Sequence, residues 1–357
     1  MSSLTHILAL VKLDSPSGHE GQVRTYIIKH LQHIGFETRV DSVGNVYGLQ
    51  GSATSHPLLL CAHMDTVEPG RGVTPLVNDG IISSDGSTIL GADNKAAIAA
   101  ILTGVWQYKK KYKRLPQVEL LFTVKEETGG GVDYIQKNWL QSTKAVIFDY
   151  AKPLGRIVTG APYITNIAVQ FKGRAAHASE PEKGANALLA FIDFASHIRL
   201  GRLDGGKTLL NIGRVQGGSG NNTIPDLVLC TGELRSLSKA FFNQHRHNIQ
   251  KRAQVSAQHY GCQAFVSTNG YCPGYVHATS SLMPFLSQSL IEEGYAVGYE
   301  TVFSVSDANI LNSMGITTVV LSDGVEEPHT VHEHISVDTL YSLEKLVGRI
   351  VYNWAYL

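Results

Sequence analysis

Cysteine is scarce and scattered: Cys61, Cys230, Cys262 and Cys272 are the only four in 357 residues, and no two form a C-x-x-C pair. That excludes a disulfide-stapled scaffold and a thiolate zinc knuckle as the basis of the fold. Net charge is missing too, since 30 basic residues balance 30 acidic ones. A neutral chain suits neither nucleic acid nor an anionic membrane surface, so no such partner is expected. No apolar run approaches the ~20 residues needed to cross a bilayer. Met1-Ser-Ser-Leu-Thr-His6 lacks the basic-then-apolar order of a secretory leader, and the expected location is cytoplasmic.

What is present reads as an ordinary globular chain, 43% hydrophobic and 17% charged. Its length calls for about two domains. Residues 3–13 and 20–34 carry helix-period apolar patterns, separated by the turn cluster Ser15-Pro16-Ser17-Gly18. Short strand-like runs follow at 36–40 and 46–49, and compact apolar runs typical of buried strands at 57–62, 118–124, 145–148 and 317–321. The Ala/Ile/Leu-rich stretch 95–108 reads as a helix laid on a sheet. Alternating strands and helices predict an α/β fold with a mostly parallel sheet flanked by helices. The middle of the chain differs: it runs strand 164–171, helix 186–198, strands 209–215 and 227–234 in succession, helix 239–259 and strand 264–268. The expected organisation is one domain from 1–162 and 269–357, interrupted by an α+β domain at 163–268.

Ligands of parallel α/β sheets gather beyond the carboxyl ends of the strands. His63 and Asp65 follow the third strand, Glu126 and Glu127 the run ending at Val124, and Asp149 the run ending at Phe148. Asp93 precedes the Ala-rich helix, and His329 lies beyond the strand ending at Leu321. Two imidazoles with three carboxylates suit zinc, cobalt or manganese better than calcium or magnesium. A carboxylate shared by two ions would hold them about 3.5–4 Å apart, as in two-metal hydrolytic sites. Asp65 is spaced to accept the second N–H of His63. Of the two adjacent glutamates, one can bind metal while the other stays free to take a proton. Singly, each residue has an ordinary use: Asp93 as an N-cap, the glutamates in a solvated turn, His329 in an exposed polar segment. A common rim for all of them is harder to assign to chance.

Nine ordered stretches carry a resemblance: Cys61-Ala-His-Met-Asp-Thr-Val67, Gly91-Ala-Asp-Asn-Lys95, Lys125-Glu-Glu-Thr-Gly-Gly130, Val146-Ile-Phe-Asp149, Gly173-Arg-Ala-Ala-His177, Asn222-Thr-Ile-Pro-Asp226, Gly232-Glu-Leu-Arg235, Val305-Ser-Asp-Ala-Asn309 and His329-Thr-Val-His-Glu333. Over essentially its whole length the chain resembles peptidase T-like members of the zinc exopeptidases and amidohydrolases. That group includes carboxypeptidase G, aminoacylase and succinyl-diaminopimelate desuccinylase. The resemblance implies two divalent metals, zinc first, with Asp93 bridging them. His63 and Asp149 would complete one ion, Glu127 and His329 the other. The peptide after the bridging Asp is often cis in relatives. Asp65 would orient His63, and Glu126 would act as general base on a metal-bridged water. The inserted domain would be a lid that also makes a homodimer. There His177 would steady the oxyanion, in its own or a partner's site, and Asn222 and Arg235 would hold the substrate's backbone or carboxylate. Asp at position 149 is similar to the aminopeptidases of the group, whereas carboxypeptidase-like relatives tend to have Glu. Ala97 departs from the Gly common there. The expected activity is hydrolysis of short peptides from the N-terminus. The rival readings are a deacylase of N-acyl amino acids on the same site and, from another class, a non-catalytic binding protein.

Overall fold

A computed structural model of the chain describes residues 1–49, 56–277 and 280–356. In chain order come α1 (Ser3–Leu10), α2 (Gly21–Ile34), β1 (Glu37–Val40), β2 (Val46–Leu49), β3 (Leu58–His63), β4 (Leu76–Asn78), β5 (Ile81–Ser83), α3 (Ala92–Tyr112), β6 (Val118–Thr123), β7 (Lys144–Phe148) and β8 (Arg156–Ala161). Next are β9 (Tyr163–Lys172), α4 (Ala187–His197), β10 (Gly201–Leu203), β11 (Thr208–Gly217), β12 (Leu227–Ser236), α5 (Lys239–His259), β13 (Gln263–Cys272) and β14 (Tyr275–Val276). The chain ends with α6 (Leu282–Glu292), β15 (Gly298–Thr301), α7 (Asp307–Ser313), β16 (Thr317–Leu321), β17 (His334–Ser336) and α8 (Val337–Trp354). Among the described residues no helix is long and apolar enough to cross a membrane.

The chain divides into two compact units. Unit 1 comprises Met1–Thr159, His277–Thr301 and Ser306–Leu357, and unit 2 comprises Gly160–Val276 and Val302–Val305. Unit 1 is built on a mixed sheet in the order β1-β2-β6-β3-β7-β16-β8, with β15 also paired to β8. Its centre is parallel: β3 lies between β6 and β7, and β16 follows β7. Every residue of β3 is buried, which is why its sequence is a continuous apolar run and not an alternating one. Helix α3 packs on β3 and against α1, α2 and α8. Its alanines let the helices approach closely. At Gly104 a Cβ would meet Val347 Cγ1 at 3.0 Å and the Gly348 nitrogen at 3.2 Å, so a side chain there would push α8 away. The apolar face of α8, including Leu343, Leu346, Val347 and Ile350, is buried in the same core. Each such side chain contributes about 1.5–3 kcal/mol by leaving water.

Unit 2 is a five-stranded antiparallel sheet in the order β10-β11-β12-β9-β13, with Phe194 of α4 and Phe242 of α5 buried in one core with Phe171 and Leu234 of the sheet. Asn186 caps α4 by accepting from the Leu188 and Leu189 amides, and Ser238 caps α5.

One buried titratable group sits in the helix layer of unit 1. His6 on α1 is 4% exposed, bonds Tyr26 Oη at 2.8 Å through Nδ1, and has the His30 ring 4.9 Å away. Burial first, then the charge of His30, lowers its pKa from 6.5 to about 4. Between those values the unfolded chain binds the extra proton, so stability is intact above 6.5 and falls as pH drops towards 4. At pH 5 the loss is about 2 kcal/mol. Urea midpoints of the wild type and His6→Gln at pH 7 and pH 5 check this: the variant should lose that much less on acidification.

Candidate metal centre

Four adjacent strands deliver the candidate residues to one edge. His63 is the last residue of β3, Asp149 directly follows β7, and Glu126 and Glu127 lie just past β6. His329 is held between β16 and β17 with φ of +62°. Asp93 sits at the start of α3, where Asp93 and Asn94 depart from helical angles and their peptide bond is cis. Gly91 before it takes φ of +75°, a conformation that favours glycine.

His63 is the hub. Its Nδ1 lies 3.0 Å from the Asp65 carbonyl oxygen and 3.4 Å from the Asp65 carboxylate. An N–H donated there leaves the Nε2 lone pair facing Asp93 Oδ1 at 3.1 Å and Asp149 Oδ1 at 3.6 Å. His329 Nε2 in turn lies 2.9 Å from Glu127 Oε1 and 3.4 Å from Asp93 Oδ2. Donor atoms of His63, Asp93 and Asp149 fall within 4.8 Å of one another, as do those of Asp93, Glu127 and His329. Asp93 belongs to both groups and presents a different oxygen to each imidazole. A third group joins His63, Glu126 and Glu127.

The electrostatics show what the cluster lacks. Burial, partly offset by His63, and the charges of Asp93 and Glu127 push Asp149 up to about 6. Burial and then the Asp149 charge raise Glu126 well above the usual glutamate value. For His63, burial opposes the charge, but hydrogen bonds to Asp149, Asp65 and Asp93 outweigh it and raise its pKa. Hydrogen bonds to Asp93 and Glu127 raise His329 to about 10. Among the described residues no Lys or Arg side chain bonds Asp93, Glu126, Glu127 or Asp149. The carboxylates therefore outnumber their protein cations, and protons are drawn in to compensate. Dications on this donor set would serve the same need, and imidazole with carboxylate is the ligand chemistry of zinc-type sites. The residues fit two such ions.

A second layer of contacts holds these groups in place, and the sequence did not single most of it out. Asp65 is fully buried and accepts from Ser17 Oγ at 2.6 Å, the Glu126 amide at 2.9 Å and the Glu127 amide at 3.1 Å. Burial works against its charge, but His63 first, then Ser17 and the Glu126 amide, keep its pKa below the usual carboxylate value. The loop after β6 is tied further by Asn45 Oδ1, which accepts from the Val124 amide at 3.0 Å, and by Glu20, which accepts from the Lys125 amide at 3.1 Å. Glu333, 1% exposed, accepts from the Gly91 amide at 2.7 Å and the Asp93 amide at 2.8 Å. Asn94 Nδ2 donates to the Phe148 carbonyl at 2.6 Å and to Asp149 at 3.2 Å. The fully buried Lys95 donates to the Leu13 carbonyl at 3.0 Å. A backbone-binding carboxylate such as Glu333 has no spacing signal. Asp65 and, as part of a turn, Ser17 are legible in the sequence.

The unit 2 residues are placed as follows. His177 and Asn222 are brought together: His177 pairs with Thr223 in an isolated bridge, and the Ala178 amide donates to the Asn222 carbonyl at 2.9 Å. His177 Nδ1 bonds Ser179 Oγ at 2.7 Å, which leaves Nε2 for another partner. Arg235 lies on β12, and its guanidinium is already engaged by Glu233.

Known proteins share this fold. Residues 160–261 match the peptidase dimerisation domain of the M20 family. The chain is 29% identical to the uncharacterised protein YqjE of Bacillus subtilis, over 98% of this chain and 97% of that one. Its structure is similar to that of the aminopeptidase PepT from Bacillus cereus, at a TM-score of 0.93 and 29% identity over 98% of this chain and 97% of that chain. It is equally similar to a tripeptidase from Staphylococcus aureus, at a TM-score of 0.92 and 30% identity over 99% and 98%. With the whole chain aligned at that level and the metal-binding donor set in place, the protein belongs to the peptidase T-like group of the M20 metallopeptidases.

Proposed function

We propose that this chain is a dinuclear aminopeptidase that removes the N-terminal residue from short peptides, tripeptides foremost. The observation that carries it is the pair of three-donor groups joined at Asp93. The full-length likeness to a tripeptidase and an aminopeptidase points to the substrate class. In this reading His63 and Asp149 hold one ion, Glu127 and His329 the other, and Asp93 both, with zinc the first choice. A two-metal site of this kind makes water reactive at neutral pH and polarises the scissile carbonyl.

The chain's own groups do the rest. Among the described residues no hydrogen bond or ion pair engages the Glu126 carboxylate, although its backbone is pinned to Asp65. A spare, fixed carboxylate beside a ligand suits a general base that takes a proton from the attacking water and returns it to the leaving amine. Asp65 sets the His63 tautomer and both glutamate amides at once. In unit 2, His177 is assigned to the oxyanion, and Asn222 and Arg235 to the substrate's backbone and carboxylate. The dimerisation-domain match supports a homodimer through that unit. Among the described residues Cys61, Cys230, Cys262 and Cys272 form no disulfide, which fits a cytoplasmic setting.

The deciding experiment loads the purified protein with zinc, cobalt or manganese and identifies by mass the products from dipeptides, tripeptides and N-acetylated tripeptides. Release of the first residue from free tripeptides, with the N-acetylated ones spared, is the expected result. Release from the C-terminal end, or cleavage of N-acyl amino acids alone, would overturn it. Asp65→Ala should lower metal affinity or turnover about 10–100-fold, the range for groups that orient a ligand imidazole. Unchanged kinetics and metal titration would remove Asp65 from this role.

A further inference from the structure

Arginine side chains that bind carboxylates are most effective when the guanidinium is already fixed, because less rotamer freedom is lost on binding. Arg235 is fixed from two directions, both within unit 2. Glu233 precedes it by two residues on β12, so both side chains emerge on the same face of the sheet. Glu233 meets the guanidinium as a fork: Nε donates to Oε1 at 2.5 Å and Nη2 to Oε2 at 2.9 Å. The third contact comes from Val302–Val305, where Arg235 Nη1 donates to the Phe303 carbonyl at 2.6 Å. That segment is itself held: the Val302 amide donates to the Gly160 carbonyl at 3.0 Å, and the Arg202 guanidinium carbon lies 5.2 Å from the centre of the Phe303 ring. Three of the five guanidinium N–H groups are taken, and one remains on each of Nη1 and Nη2.

We propose that Glu233 is a positioning residue for substrate recognition: with the Phe303 carbonyl it locks Arg235 so that its two remaining N–H groups receive the terminal carboxylate of the peptide. The inference rests on Arg235 binding that carboxylate. Glu233 could instead be a competitor for Arg235, and the two roles have opposite signs. A competitor, once removed, lets the substrate carboxylate bind more tightly. A positioning group, once removed, lets the guanidinium swing, and binding weakens.

The test uses the metal-loaded enzyme and compares a tripeptide with its C-terminal amide. In Glu233→Ala, KM for the free acid should rise about tenfold, the cost of immobilising one long side chain. Its kcat should stay within about twofold, and the amide should be unaffected. Glu233→Gln retains an acceptor for the fork and should stay close to wild type. A fall in KM for the free acid in Glu233→Ala, or no change, overturns the proposal. Arg235→Ala is the control: it should abolish discrimination between acid and amide. If Arg235→Ala leaves that discrimination intact, the role of Arg235 falls and the proposal falls with it. If the wild type cleaves no peptide with a free amine, the aminopeptidase reading fails first, and the two failures are told apart.

Discussion

Replacing Glu126 with glutamine is expected to lower kcat by about 10³-fold, within the 10²–10⁴ range of general acid–base catalysis, while two metal equivalents stay bound. The geometry accounts for both halves. The Glu126 backbone is held by Asp65 through the Glu126 and Glu127 amides, so the loop does not depend on the Glu126 side chain. The proposed ligand pairs, His63 with Asp149 and Glu127 with His329, do not include it. Glutamine keeps the shape and loses the proton acceptor. Metal content by elemental analysis and turnover of a tripeptide, measured on the same sample, check the expectation. A variant with normal turnover would show that another group takes the proton. A variant without metal would show that Glu126 is a ligand.

Four of the site residues legible in the sequence, His63, Glu126, Glu127 and Asp149, lie at or just past strand ends. β3, β6 and β7 are short apolar runs buried on both faces, so their boundaries are sharp and the polar residues that follow stand out. What the pattern missed is held by tertiary contacts with no periodic signal. The hairpin of β4 and β5, and β17 beside it, form a three-stranded sheet of three-residue strands. None is long enough to show an alternation. Helix α8 is a different case: its Leu343, Leu346, Val347 and Ile350 spacing is itself readable as an amphipathic face. Unit 2 holds a further contribution that pattern alone cannot supply. Val302–Val305 returns to it after an excursion through unit 1. Nothing in those four residues marks that return, yet the Phe303 carbonyl they carry is a contact of Arg235.

Glu333 and Lys95 are buried around the Asp93 position. Burial pushes Glu333 up to about 7, against the pull of the Asp93 and Gly91 amides, and burial lowers Lys95 to about 8 against the nearby Glu333 charge. Glu333 thus fixes the Asp93 backbone without touching its carboxylate, while Lys95 ties the start of α3 to the Leu13 carbonyl. The Asp93 side chain is left to its two imidazoles.

Asp93→Ala is therefore expected to be the most damaging single change to metal binding, with affinity lost by more than about 100-fold, since even groups that only orient a ligand cost 10–100-fold. Asp93 is the one residue shared by the two groups that hold His63 with Asp149 and Glu127 with His329. Removing it reduces both groups to two donors in a single step. His63→Ala, by contrast, would leave the Asp93, Glu127 and His329 group complete. The backbone at position 93 stays anchored, because Glu333 binds its amide and not its carboxylate. The loss should therefore be local to the metals. Thermal unfolding separates that from misfolding. A metal at a thousand times its dissociation constant stabilises the folded state by about 4 kcal/mol per site. The wild type should accordingly melt several degrees higher with zinc than with a chelator, whereas Asp93→Ala should melt at one temperature in both. A zinc-dependent shift in the variant as large as the wild type's would show that the ions do not meet at Asp93.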